Sequence, residues 1–144
     1  MFHYNLFGTP KILTKKYIQS VGKALEEATK KPQKWIINII TVSPDEIAFL
    51  NKSYREKDGP TDILTFSYLH DVRTGKDIAG EIYLCLEKIK FYAEERWITY
   101  LEQLEYIIVH GLVHMMGYDH ETEKGSKEMG KIEKKVTVLL KEGK

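Results

Sequence analysis

The sequence predicts an α/β (α+β) fold, in which a small mixed β-sheet is flanked by helices within a single domain of residues 1–144. Runs rich in β-branched residues alternate along the chain with segments whose apolar residues recur every three or four positions. A chain of 144 residues that is 42% hydrophobic can bury one ordinary core, and no repeat or linker divides it. Three of the five histidines fall in one short segment, at a spacing that fits a helix followed by a turn.

The first part of the chain predicts a strand, a helix and a second strand. Phe2–Phe7 is short and mostly apolar, as in a strand. A helix is predicted from Pro10 to about Lys31, because proline suits the first turn and an apolar stripe follows. Trp35–Val42 is rich in β-branched residues and predicts a buried strand. The helical stripe consists of Leu13, Tyr17, Val21, Ala24, Leu25 and Ala28.

A helix and a strand are predicted in the middle of the chain. Ser43 is the expected N-cap, a proline follows it in the first turn, and Glu46 completes a capping box. That helix should run to about Tyr54. A turn at 57–60 contains adjacent glycine and proline, and a strand from Asp62 to Tyr68 should follow it.

One more strand and three helices complete the prediction. Asp71–Asp77 is expected to be a polar loop, and Ala79–Leu86 a strand. The predicted helices are Leu86–Arg96, Thr99–Met116 and a C-terminal helix from Thr122. The C-terminal helix should place Met129, Ile132, Val136 and Leu139 on one apolar face.

The histidine segment predicts a zincin-like H-x3-H-x5-H metal site built on a helix and a turn. His110 and His114 lie one turn apart if their segment is helical, so their side chains share a face. Gly117 can adopt a positive φ, end the helix and bring His120 back beside the other two. Three imidazoles with no obvious fourth protein ligand describe a catalytic zinc site that keeps one position for water.

The position after the first histidine argues against a peptidase. Metalloproteases of the H-E-x-x-H type carry a glutamate there as general base. Here that position is Gly111, which cannot transfer a proton. The ligand spacing alone fits proteases, but the missing base makes peptide hydrolysis a weak interpretation.

Zinc is the expected metal because imidazole suits it, although other divalent transition metals accept the same ligands. A closed structural site is the alternative, with Cys85 or His70 as a fourth ligand. Since the chain has one cysteine, no intrachain disulfide can form, and a cytoplasmic location is expected. No apolar run is long enough to cross a bilayer, so no membrane association is expected.

The net charge of +1 hides an uneven distribution. Residues 1–57 carry ten Lys and Arg against five Asp and Glu, so this part is basic. A basic patch can attract phosphate backbones, but a solvated helix face has the same composition. Charge alone therefore supports a nucleic-acid partner only weakly.

The histidine segment resembles the signature of the bacterial YbeY family of rRNA maturation factors and metal-dependent endoribonucleases. That signature, H-G-x-L-H-L-x-G-Y-D-H, corresponds here to His110-Gly111-Leu112-Val113-His114-Met115-Met116-Gly117-Tyr118-Asp119-His120, with Val113 and Met115 in place of the two leucines. Further matching blocks are Leu50-Asn51, Tyr54-Arg55, Asp58, Pro60-Thr61-Asp62-Ile63-Leu64-Thr65-Phe66 and Gly80-Glu81-Ile82. Their order and spacing agree, so the resemblance covers most of the chain. The family usually has Ser-Phe-Pro where this chain has Thr65-Phe66-Ser67.

The resemblance implies one zinc ion on His110, His114 and His120, with Arg55 and His114 as catalytic residues. Arg55 would also bind substrate by clamping an RNA phosphate. Asp62 and Asp119 are the carboxylates expected to hydrogen-bond a ligand imidazole, since zinc histidines usually donate their second N–H. A cap or a local turn bond is the competing interpretation of both.

The predicted function is zinc-assisted hydrolysis of single-stranded RNA, with rRNA and ribosomal particles as partners. The resemblance implies a role in rRNA maturation, including the 3′ end of 16S rRNA, and in ribosome quality control. Two alternatives remain at this point: a zinc peptidase or amidase, and a ribosome-assembly factor without catalysis in which zinc holds the fold. The general base, the product ends and the oligomeric state are left open.

Overall fold

The computed structural model describes residues 3–8, 11, 13–30, 36–67, 78–118 and 120–143, in which strands and helices alternate. The predicted polar loop at 71–77 lies outside these residues. The elements are β1 (His3–Phe7), α1 (Lys15–Thr29), β2 (Ile36–Thr41), α2 (Pro44–Arg55), β3 (Ile63–Ser67), β4 (Ile78–Leu84), α3 (Leu86–Glu95), α4 (Tyr100–Met115) and α5 (Glu123–Glu142).

The strands form one mixed sheet in the order β1-β2-β4-β3, which confirms the predicted fold class. β1 pairs parallel with β2, and β2 pairs parallel with β4. β3 pairs antiparallel with β4, with Thr65 opposite Ile82 and Phe66 opposite Glu81. β3 is therefore at the edge of the described sheet, where helices can approach it from both faces.

The main core lies between one face of the sheet and helices α1, α4 and α5. The strands contribute Ile37, Ile39 and Ile82, and α4 contributes Ile108 and Leu112, all fully buried. Burying side chains of this size contributes roughly 1.5–3 kcal/mol each. This packing makes α4 a rigid support for any side chain on its remaining face.

A smaller apolar cluster lies under α2. It contains Ile47, Leu64 and Cys85. Ile63 packs in the main core instead, because adjacent strand residues point to opposite faces. α2 is thus attached to the edge strand from the side opposite to α4.

Helix caps explain where the helices begin. Ser43 and Glu46 form the predicted capping box of α2, and Thr99 and Glu102 form another on α4. The predicted start of the first helix at Pro10 is wrong. The helix begins at Lys15, because the Thr14 side chain accepts the backbone N–H of Tyr17 and acts as N-cap.

Within the described residues, no helix is both long and apolar enough to cross a membrane. α5 has the required length but carries charged residues along its exposed face.

Candidate metal centre

Helix α4 presents two histidine rings to the same point. His110 and His114 are one turn apart, and their Nε2 atoms lie 3.2 Å from each other. The backbone reverses at Gly117, where φ is +99°, a conformation that favours glycine. His120 then returns to the pair, with its ring centroid 5.7 Å from that of His110 and 5.0 Å from that of His114.

The other nitrogens of the α4 pair are held by hydrogen bonds. His110 Nδ1 donates to Glu133 Oε1 at 2.9 Å, and His114 Nδ1 donates to the Tyr118 carbonyl oxygen at 3.1 Å. A neutral imidazole with its proton on Nδ1 carries a lone pair on Nε2. Two such lone pairs cannot hydrogen-bond each other. Two facing lone pairs are an arrangement that a metal cation can bridge.

The geometry fits a transition-metal ion. Zinc binds imidazole nitrogen at about 2.0–2.1 Å with tetrahedral angles, which places two ligand nitrogens about 3.3 Å apart. The Nε2 atoms of His110 and His114 are 3.2 Å apart, and one nitrogen of each of the three rings lies within 4.8 Å of the others. The donor set suits zinc and is also accepted by nickel, copper or iron.

The surroundings of His114 favour the neutral form of its ring. Burial lowers the pKa of His114, and the neighbouring charges of His110 and His120 lower it further. A neutral imidazole is the form that binds a metal. His120 is more exposed than the α4 pair, so the site opens to solvent on its side.

The three rings line one wall of a cleft of about 470 Å³. The rest of the lining comes mainly from the end of α2, the following turn and the edge strand β3. The lining residues are Asn51, Arg55, Lys57, Thr61, Ile63, Leu64, Thr65, His110, Gly111, His114, His120 and Glu121.

Arg55 is held at the cleft by two contacts with β3. Its Nη2 donates to the Thr65 carbonyl oxygen, and its Cζ lies 5.3 Å from the centre of the Phe66 ring. Tyr54 packs edge-on against the same ring at 5.5 Å. The guanidinium has further N–H groups in a planar fork, which can bind a phosphate.

Lys57 adds a second cation to the same wall. Its backbone N–H donates to the Asn51 carbonyl oxygen at 3.3 Å, and Asn51 Nδ2 donates to the Gly59 carbonyl oxygen at 3.0 Å. The buried Asn51 side chain therefore holds the turn that carries Lys57. Among the described residues, no carboxylate pairs with Arg55 or Lys57.

Gly111 allows α4 to lie close to β3. A Cβ atom at Gly111 would lie 2.7 Å from Ile63 Cδ1 and 3.2 Å from Thr65 Cγ2. A glutamate at this position would have to enter the contact between helix and strand. The glycine that removes the protease base thus also lets α4 and β3 pack without displacing Ile63 or Thr65.

The described residues place the predicted site residues as follows. His110, His114, His120 and Arg55 meet around one cleft. Asp62 is half-buried at the start of β3, where its Oδ1 accepts the Thr61 hydroxyl at 3.3 Å and its backbone oxygen accepts the Cys85 N–H. Asp119 and His70 lie outside the described residues.

The sequence does not predict two residues of the site, Glu133 and Lys57. It also offers Cys85 as an alternative ligand, which lies away from the histidines. Glu133, on α5, accepts the Nδ1–H of a histidine, and Lys57 adds a cation to the cleft lining. Cys85 is buried with Ile47 and Leu64, apart from the three histidines. A carboxylate on the apolar side of a helix was the available signal for Glu133.

The fold and the site define a mixed α/β protein with an open three-histidine site beside a cationic cleft. A sequence model of the family described as Endoribonuclease YbeY matches residues 7–141. The chain therefore belongs to the YbeY endoribonuclease family.

Individual relatives agree with this assignment. An Endoribonuclease YbeY of Thermotoga maritima is 40% identical over 122 residues, covering 83% of this chain and 78% of the relative. One of Malacoplasma penetrans is 36% identical over 132 residues, covering 90% and 88%. A solution structure of a Thermotoga maritima protein superposes with a TM-score of 0.64 at 35% identity, over 97% of this chain and 89% of that one.

Proposed function

We propose that this protein is a zinc-dependent endoribonuclease that hydrolyses phosphodiester bonds in single-stranded RNA. One observation carries the proposal: Arg55 lines the same cleft as His110, His114 and His120, so a phosphate can meet a cation and a metal site together. Membership of the YbeY endoribonuclease family supports the reaction class. The family resemblance extends the proposal to rRNA maturation and ribosome quality control in the cytoplasm, with ribosomal particles as partners.

The three histidines would hold zinc through ring nitrogens that face the cleft. When bound, zinc would lower the pKa of a water molecule towards ~7 and would polarise a phosphoryl oxygen. Arg55 binds the scissile phosphate and stabilises the negative charge that develops on it. Lys57 binds a phosphate of the same strand and adds affinity without base specificity.

The residue at position 111 cannot be the proton acceptor, because Gly111 has no side chain and is packed against β3. Glu121 contributes a carboxylate to the cleft lining beside His120. Attack by water, which needs a proton acceptor in the cleft, has one alternative: direct attack by the RNA 2′-OH on the adjacent phosphorus. A 2′,3′-cyclic phosphate product indicates attack by the 2′-OH, whereas a 3′-OH with a 5′-phosphate indicates attack by water.

The role of Arg55 is tested with two single variants on one labelled, single-stranded rRNA fragment. Arg55→Ala should slow cleavage by about 10²–10³-fold, as loss of a group that stabilises transition-state charge does. Arg55→Lys should not restore the rate, because lysine cannot reproduce the planar fork. Unchanged cleavage by a folded Arg55→Ala protein would contradict the proposed role.

Lys57→Ala should weaken RNA binding and reduce the slope of log affinity against log salt by about 0.7, the value for one phosphate contact of a single strand. Lys90→Ala is the matched control, since Lys90 is exposed on α3 and does not line the cleft. Equal salt slopes for the two lysine variants would show that Lys57 makes no phosphate contact.

A further inference from the structure

A carboxylate on the C-terminal helix contacts one ring of the candidate metal centre, through the nitrogen that does not face the other α4 histidine. Glu133 lies on α5, and its Oε1 accepts the His110 Nδ1–H at 2.9 Å. The side chains of His110 and Glu133 are 23% and 18% exposed, so the contact is largely shielded from water. Shielding strengthens a charged hydrogen bond relative to the same bond on the surface.

The position of Glu133 follows from the packing of α5. Met129 and Val136, one turn before and after it, are buried in the main core. Helical spacing therefore turns Glu133 towards α4 rather than towards solvent. A carboxylate on the inner face of a helix is costly unless it is paired, and His110 provides the pairing.

The His110 ring is restrained on a second side. The Tyr106 ring stacks on it with a centroid distance of 5.7 Å and an interplanar angle of 25°. Stacking limits the tilt of the imidazole but does not determine which nitrogen carries the proton. The hydrogen bond to Glu133 does, because a carboxylate oxygen accepts and the proton must then be on Nδ1.

We propose that Glu133 is a positioning residue for the metal centre, which fixes the tautomer of His110 and strengthens its Nε2 as a ligand. Partner groups of this kind typically change metal affinity by about 10–100-fold when removed. The inference rests on the proposed metal site. It goes further by linking α5, more than twenty residues away along the chain, to the affinity of that site.

The experiment measures zinc affinity by competition with a chromophoric chelator for parent, Glu133→Ala, Glu133→Gln and Glu128→Gln. Glu128 is an exposed residue of the same helix and serves as the matched control. We expect zinc binding to weaken by about 10–100-fold in Glu133→Ala. Glu133→Gln retains an acceptor oxygen without the charge and should lose less. Glu128→Gln should bind zinc as the parent does.

Cobalt substitution supplies a readout that would not change if the ion pair between His110 and Glu133 only stabilised the fold. The visible absorption of cobalt depends on the orientation and donor strength of its ligands, so it should shift in both Glu133 variants and remain unchanged in Glu128→Gln. If Glu133→Ala fails to fold, which circular dichroism would show, Glu133→Gln retains the test.

The outcomes separate this inference from the proposed function. A parent protein that binds no zinc or cobalt would overturn both. A parent that binds zinc, with Glu133 variants of equal affinity and an unchanged cobalt spectrum, would overturn the role of Glu133 alone.

Discussion

The glycine inside the histidine motif allows a quantitative test of how the site is assembled. Replacing Gly111 by alanine adds one methyl group between α4 and β3, 2.7 Å from Ile63 Cδ1 and 3.2 Å from Thr65 Cγ2. Overpacking of this kind costs about 1–3 kcal/mol. Gly130, in the middle of α5, is the matched control, because a Cβ there would meet nothing within 4 Å.

Both substitutions gain the same helix propensity, about 1 kcal/mol for alanine over glycine. Gly130→Ala should therefore raise the free energy of unfolding by about 1 kcal/mol. Gly111→Ala combines that gain with the packing cost, so its effect should lie between neutral and a loss of about 2 kcal/mol. The expected difference between the variants is about 1–3 kcal/mol, or roughly 3–10 °C in Tm for a chain of this size.

The assay is urea and thermal unfolding of parent, Gly111→Ala and Gly130→Ala, followed by cleavage of the same RNA fragment. Gly111→Ala should also cleave more slowly, because α4 and β3 both line the cleft and a shift of about 1 Å between them can cost ~10²-fold in rate. Equal stabilisation by both alanines, with unchanged cleavage, would refute the argument that close packing at Gly111 shapes the site.

Three further predictions concern stability and metal. Tyr17→Phe should cost about 1–2 kcal/mol, because the Tyr17 hydroxyl donates to Glu105 Oε1 at 2.9 Å. Burial and the nearby Glu105 charge raise the pKa of Tyr17 above its usual 10.0. The contribution of this hydrogen bond to the free energy of unfolding is therefore complete below pH 10.0 and declines as the pH rises above it. Denaturant titrations of the parent and Tyr17→Phe at about pH 8 and about pH 11 would show whether their difference in stability persists. Ser43→Ala should lower the free energy of unfolding by about 1 kcal/mol in the same titration, because it removes the side-chain oxygen that accepts the Glu46 N–H. A loss near zero would show that this cap does not stabilise α2. Removal of zinc by a chelator should leave the far-ultraviolet circular dichroism unchanged, since two of the three histidines are only partly buried and His120 is exposed. Unfolding on chelation would indicate a structural metal.

Local sequence signals predicted most of the elements and the meeting of the histidines. The capping box at Ser43 and the turn at Gly117 depend on neighbouring residues only, so they could be read from the sequence. The proximity of the His110 and His114 side chains follows from helical spacing alone. The first helix begins later than expected because Thr14 provides a cap that outweighs the preference of proline for a first turn.

The remaining features depend on contacts between distant parts of the chain. Glu133 reaches His110 across 23 positions, and only the packing of α5 on α4 determines that contact. Arg55 reaches the cleft because α2 and α4 pack on opposite faces of the same edge strand. Sequence alone showed that Gly111 cannot be a base; the structure adds that a side chain there would enter the contact between α4 and β3.

The most direct test of the account combines metal analysis with cleavage of a defined single-stranded rRNA fragment by parent and His114→Ala proteins. The parent should contain about one zinc ion per chain and cut the fragment, because the three histidines can together hold a single metal ion. His114→Ala should remain folded and lose both the metal and the cleavage. A folded, metal-free His114→Ala protein that cuts the fragment at the parent's rate would contradict metal-dependent catalysis at this site.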